Sequence, residues 1–244
     1  MSTFTITINN NSNVAHRFLL FQDMPTPTNG PSSQVFSNVY QRSPKIQSGD
    51  DSRVSFQMKQ EYFAIYGTGS ESSDGSVRVY TSSSVPVKLG PGGTTVVVTT
   101  QDGEGNDPAW DKAAASGQST GAKGGFSIVT DTSFKYPNPN AIYIGCGARD
   151  PKSPSSIIPV QTYIAEPGLN SQLFPKVKYY ICFGEYQPGM VVDRNTLGNV
   201  LSIDFTGCTI PNASFTLNSN GAYDADPSVE SSGIKWSFGK VPTS

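Results

Sequence analysis

Short runs in which apolar and polar residues alternate recur along the whole chain. In residues 3–9, Phe4, Ile6 and Ile8 fall on one face and Thr3, Thr5, Thr7 and Asn9 on the other. That period of two is the mark of a half-buried strand. Residues 200–206 repeat it, with Leu201, Ile203 and Phe205 opposite Ser202, Asp204 and Thr206. Two segments, Phe18 to Phe21 and Ala141 to Ile144, are apolar at every position and predict central strands covered on both faces. Clusters of Gly, Pro, Asn and Ser separate the runs, as turns require.

Read this way, the first half predicts strands at 3–9, 15–22, 34–40, 52–58, 61–67, 76–81, 85–89 and 94–100. The second half adds 125–130, 141–146, 157–164, 177–186, 190–193, 200–206, 213–218 and 233–238. Residues 107–117 alone read as helical, with Asp107 as N-cap, Pro108 in the first turn and Gly117 as the stop. This predicts an all-β chain with one short connector helix. So many strands exceed one ordinary sandwich of about 100 residues. The expectation is a large antiparallel, jelly-roll-like β-sandwich spanning 1–244, or two packed sandwich-like halves at 1–120 and 124–244. Faint echoes support the halves: Phe126 onward resembles Phe4 onward, and Tyr66-Gly67-Thr68-Gly69 resembles Ile144-Gly145-Cys146-Gly147.

Composition sharpens the picture. Apolar residues make up 36% and charged residues 15%, both below the usual range, while the formal net charge is -2. A disordered chain would combine low hydrophobicity with high net charge, so a turn-rich β protein fits better. Near-neutrality gives no electrostatic pointer to nucleic acid. No apolar run is long enough for a membrane-spanning helix. The start, Met1 to Phe4, lacks a basic region followed by an apolar one, so the expectation is a cytoplasmic protein.

The chemistry is narrowed by what is scarce. His16 is the only histidine, and the three cysteines, Cys146, Cys182 and Cys208, are widely spaced. That argues against a disulfide framework, a structural zinc site and imidazole metal centres, and the expectation is a protein without metal or cofactor. Residues 117–121 spell G-x-S-x-G, but the lone histidine precedes Ser119 and the flanks are loop-like, so no nucleophile elbow is read there. Asp102, Glu104 and Asp107 space oxygens like the start of a calcium loop, yet the sixth and twelfth positions fail the pattern; the reading is a solvated turn. Asp224 and Asp226 form a second acidic turn. Gly90 to Gly93 lacks the lysine of a phosphate-binding loop.

Two clusters stand out as candidate sites. In one, a strand opens through glycines into a charged pair: Tyr143, Arg149 and Asp150 are candidate ligand-binding residues, joined by Arg194. In the other, Tyr180, Glu185, Tyr186 and Asp193 are candidate catalytic residues. Phenols, carboxylates and a guanidinium on a glycine-dented sheet suit a small-molecule pocket, and burial can shift such groups into acid–base work. The first functional reading is a β-sandwich that binds a small molecule, glycan or lipid through aromatic and polar loop residues. The alternatives are a cofactor-independent cyclase, isomerase or lyase acting on an apolar metabolite, and a self-assembling structural protein or homo-oligomer.

Overall fold

The computed structural model describes residues 2–32, 34–101, 107–137, 140–192 and 197–240. Along these residues run β1 (Thr3–Asn10), β2 (His16–Gln22), β3 (Phe36–Asn38), β4 (Gln41–Ile46), β5 (Arg53–Lys59), β6 (Tyr62–Glu71), β7 (Val77–Val87) and β8 (Gly93–Thr99). Next come β9 (Ala109–Trp110), α1 (Lys112–Ala115), β10 (Ser119–Thr120), β11 (Phe126–Thr130), β12 (Ile142–Arg149), β13 (Ile157–Ile164) and β14 (Asn170–Leu173). The chain ends with β15 (Lys178–Phe183), β16 (Val191–Val192), β17 (Val200–Asp204), β18 (Asn212–Leu217), β19 (Tyr223–Ala225), α2 (Pro227–Ser231) and β20 (Lys235–Gly239). The protein is all-β and sandwich-like, and its helices are short.

The strands form four sheets. Sheet A has the order β19-β18-β1-β5, and sheet B the order β20-β17-β15-β2-β4. Sheet C is β10-β8-β11-β14 with β9 paired to β8, and sheet D is β16-β3-β13-β12-β6-β7. Most neighbours are antiparallel, but β1 runs parallel to β18 and β11 parallel to β8. Each sheet mixes strands from before residue 120 with strands from after residue 124, so the two halves are interleaved.

The alternating strands do what their pattern predicts. Phe4, Ile6 and Ile8 are buried from β1, and Leu201 and Ile203 from β17. Sheet A packs on sheet B through aromatic contacts: the Phe4 ring lies 5.0 Å from Phe205, and Phe215 meets Trp236 edge-on at 5.5 Å. Tyr223 meets Phe238 in the same way at 5.2 Å. Sheet C meets sheet D at Trp110, whose ring lies 4.8 Å from Tyr66 and whose Nε1 donates to Ser83 Oγ at 2.9 Å. Val96 and Ile128 of sheet C, Ile142 and Ile144 of sheet D, and the Phe4 row belong to one continuous core. The all-apolar run Phe18 to Phe21 is covered on both faces. Phe18 and Leu20 join the main core, while Leu19 and Phe21 join a smaller cluster with Tyr180, Cys182, Val192 and Val200.

The structure departs from the pattern in several places. Residues 107–117 do not form one helix. Ala109 and Trp110 pair with Thr99 and Val98, which delays α1 to Lys112; Asp111, not Asp107, is the N-cap, accepting from Ala114 N at 2.8 Å. Burial of an indole outweighs local helix propensity here. The predicted strands at 76–81 and 85–89 merge into β7. Strand β4, with Pro44 in it, escaped the pattern because it is an edge strand, where proline is tolerated. The acidic turn at Asp226 proves to be the N-cap of α2, its side chain accepting from Ser228 N at 2.9 Å.

Sheet D curls strongly. At one edge Val79 N of β7 donates to Gly189 O at 3.0 Å, and Arg78 bridges Met190. The same short segment reaches the opposite side of the sheet, where Val39 N donates to Met190 O at 2.9 Å. The sheet therefore closes almost into a barrel. Glycines permit the tight curvature. A Cβ on Gly67 would lie 1.8 Å from Tyr80 O, and one on Gly145, whose φ is +158°, would lie 2.1 Å from Gln161 O. Ladder irregularities lie beside both, at Tyr66/Gly67 and at Cys146/Gly147, as expected where a sheet bends sharply.

Candidate functional site

The curl of sheet D leaves a groove of ≈ 550 Å³ between β7 and the head of β13. Its walls include Arg78, Tyr80 and Ser82 from β7, Asp150 and Ser156 from the β12–β13 connection, and Pro188. The register shift at Tyr66/Gly67 makes Ser82 the extra residue of β7, so the strand bulges at the groove. Below it, Ser83 accepts from Trp110, which ties this wall to sheet C.

Arg78 and Tyr80 lie two apart on a strand and so share a face. The guanidinium carbon stands 4.9 Å from the centre of the Tyr80 ring. Arg78 Nε donates to Pro188 O at 3.0 Å, which fixes the stack. Tyr80 remains 46% exposed. Opposite, Asp150 accepts from Lys152 N at 2.8 Å, and its own N–H donates to Ser156 O at 2.9 Å. The groove thus offers an aromatic ring, a cation, a carboxylate and several hydroxyls.

Of the described residues singled out from the sequence, Asp150 alone lines this groove. Arg149 is held nearby. Its Nε pairs with Glu61 at 2.7 Å, its guanidinium lies 5.0 Å from the Phe63 ring centre, and its NH1 donates to Pro154 O. The Tyr40 hydroxyl donates to Arg149 O at 2.6 Å. Arg149 therefore borders two smaller hollows of ≈ 370 and ≈ 170 Å³. Tyr143 starts the same strand, about 20 Å away by strand rise. Its ring packs where Gly69 leaves room, since a Cβ there would sit 2.5 Å from it.

The second cluster divides as well. Tyr180 and Cys182 are buried on the outer face of sheet B, with Tyr186 packed against them. Cys182, Phe183, Tyr186, Asn199 and Phe238 line a hollow of ≈ 370 Å³ there. Glu185 is on the surface instead, paired with Arg17 at 2.9 Å and Arg42 at 3.3 Å. Asp193 and Arg194 lie outside the described residues, as do Asp102 and Glu104 of the acidic turn.

Burial governs the titratable groups. It pushes the phenols of Tyr40, Tyr62, Tyr163 and Tyr179 well above their ordinary value, and that of Tyr143 upward with help from the charge of Glu71. Such phenols stay protonated at neutral pH and do not serve as bases. His16 stacks on Phe183 at 4.2 Å, and burial lowers its pKa. Burial also raises the Cys182 thiol to about 12 and Cys146 further. All three cysteines are free, and only Cys208 is partly exposed. A native thiol titration with Ellman's reagent is expected to give one equivalent per chain, and three in denaturant; two or more native equivalents would contradict the buried placement.

Among the described residues, no group of three or more His, Cys, Asp or Glu is arranged to hold a metal ion, and no helix is long and apolar enough to cross a membrane. Arg78 and Tyr80 were missed by the sequence reading. Their signal is an Arg-x-Tyr pair on one strand face followed by a hydroxyl run from Thr81 to Ser84. The family model RhiA matches residues 1–228. No curated protein and no solved structure matches the chain.

Proposed function

We propose that this chain, which belongs to the RhiA family, is a ligand-binding β-sandwich protein that holds a small, hydroxyl-rich molecule, a glycan, in the groove between β7 and β13. The observation that carries this reading is the exposed Tyr80 ring held by Arg78 opposite Asp150 and serine hydroxyls. The ring offers a surface for the apolar C–H face of a sugar, and the charged and hydroxyl groups suit its hydroxyls. The volume of the groove falls within the about 300–1,000 Å³ typical of small-molecule sites.

The enzymatic alternative has less support. One of its carboxylates, Glu185, is engaged by two arginines at the surface, and its phenol Tyr180 is buried. Self-assembly through the doubly apolar strands also has less support, because Phe18 to Phe21 find cover within the chain on both faces.

Trp110 reports on the groove wall through Ser83, and Trp236 is the second of the two tryptophans. In a Trp236→Phe background, titration with a panel of mono- and disaccharides is expected to shift Trp110 emission saturably. Tyr80→Ala is expected to weaken that binding by roughly tenfold or more at an unchanged melting midpoint. Undiminished binding by Tyr80→Ala, or no response to any sugar at millimolar concentration, would remove the reading.

A further inference from the structure

The described arginines differ in how their charge is met. Arg17 and Arg42 share Glu185, and Arg149 pairs with Glu61. Arg53 is exposed to solvent. Among the described residues, Arg78 alone is half-buried and has no carboxylate within ion-pair distance. Its Nε is occupied by Pro188 O and one flat face by Tyr80, which leaves the two terminal amino groups of the fork for another partner.

A half-buried guanidinium without a counter-ion is poorly solvated and gains most from a planar anion that matches its fork. Here the fork is already immobilised, so little side-chain freedom remains to be lost on binding. Asp150 stands on the other wall, in the β12–β13 connection, and is not paired with Arg78. The two walls therefore ask for different ends of one ligand, a carboxylate towards Arg78 and hydroxyls towards Asp150.

We infer that the groove selects an acidic sugar, a uronic or sialic acid, whose carboxylate pairs with Arg78 while its hydroxyls meet Asp150 and the serines. This rests on the groove being the binding site proposed above. The test is an array carrying hexuronates and sialic acids beside their carboxyl-reduced neutral counterparts, read with the native chain and with Arg78→Met, Arg78→Lys and Tyr80→Ala. The native chain is expected to prefer the acidic member of a pair by roughly tenfold, with the preference shrinking as salt rises. Arg78→Met is expected to bring the acidic and neutral members of each pair to equal affinity, and Arg78→Lys to keep part of the preference. Melting midpoints confirm that each variant folds. Equal binding of acidic and neutral members by the native chain overturns this inference and leaves the groove reading intact. An acidic preference that survives Arg78→Met overturns the assignment to Arg78. Binding of neither member, or binding indifferent to Tyr80→Ala, overturns the groove reading itself.

Discussion

Gly67→Ala lowers the melting midpoint by roughly 10 °C, equivalent to about 3 kcal/mol. The added Cβ would stand 1.8 Å from Tyr80 O, 2.9 Å from Tyr80 C and 3.2 Å from Ser82 N. All three are main-chain atoms of β7, so no side-chain rotation can make room. The strand must move, and Tyr80 and Ser82 of the groove wall move with it. Binding at the groove is thus expected to fall together with stability. Gly121→Ala is the matched control, because nothing lies within 4 Å of its Cβ and its backbone is not left-handed. Differential scanning calorimetry of the pair checks the claim. Equal midpoints for the two variants would mean that β6 and β7 tolerate a side chain at their closest approach.

Phe215→Ala removes a ring that is 1% exposed at the centre of the contact between sheets A and B. Truncation of a buried phenylalanine costs about 3–5 kcal/mol, from lost transfer energy and the cavity left behind. The loss is local in an observable way. Phe215 meets the Trp236 ring at 5.5 Å, whereas Trp110 packs against Tyr66 between sheets C and D. The emission of Trp236 should therefore shift to the red while that of Trp110 stays unchanged, each read in a variant with the other tryptophan replaced by phenylalanine. A midpoint in urea that barely moves would show that the two sheets are held chiefly elsewhere.

Much of the fold was legible because period-two burial leaves its mark in the sequence. Phe4, Ile6 and Ile8 alternate, and the structure buries all three. Elements that escaped lack that mark for stated reasons. Strand β4 is a polar edge strand, and β14, Asn170–Leu173, carries only one apolar residue, Leu173. Trp110 became a strand residue by pairing with Val98 and packs on a distant ring, Tyr66, that no local pattern reveals. The site was less legible. Strands β12 and β15 end within these clusters, at Arg149 and Phe183, so Asp150 and Glu185 leave the sheets: Asp150 reaches the groove while Arg149 pairs with Glu61, and Tyr180 is buried while Glu185 is in solvent. The groove itself arises from curvature, which is set by glycines and bulges whose effect depends on strands far away in the chain. Arg78 and Tyr80 gain significance only once Pro188 and Asp150 are placed beside them.

The parallel pairing of β1 with β18 carries a consequence for biosynthesis. Ile6 finds its neighbour Ala213 only after about 200 further residues have left the ribosome. Until then one flank of the first strand has unpaired N–H and C=O groups, beside a row of exposed phenylalanine and isoleucine. Such non-local pairing raises contact order and slows folding, and an open apolar edge invites association between nascent chains. Sheet A is therefore completed only once β18 has been synthesised, and fragments ending before residue 212 lack the neighbour that closes this flank of β1.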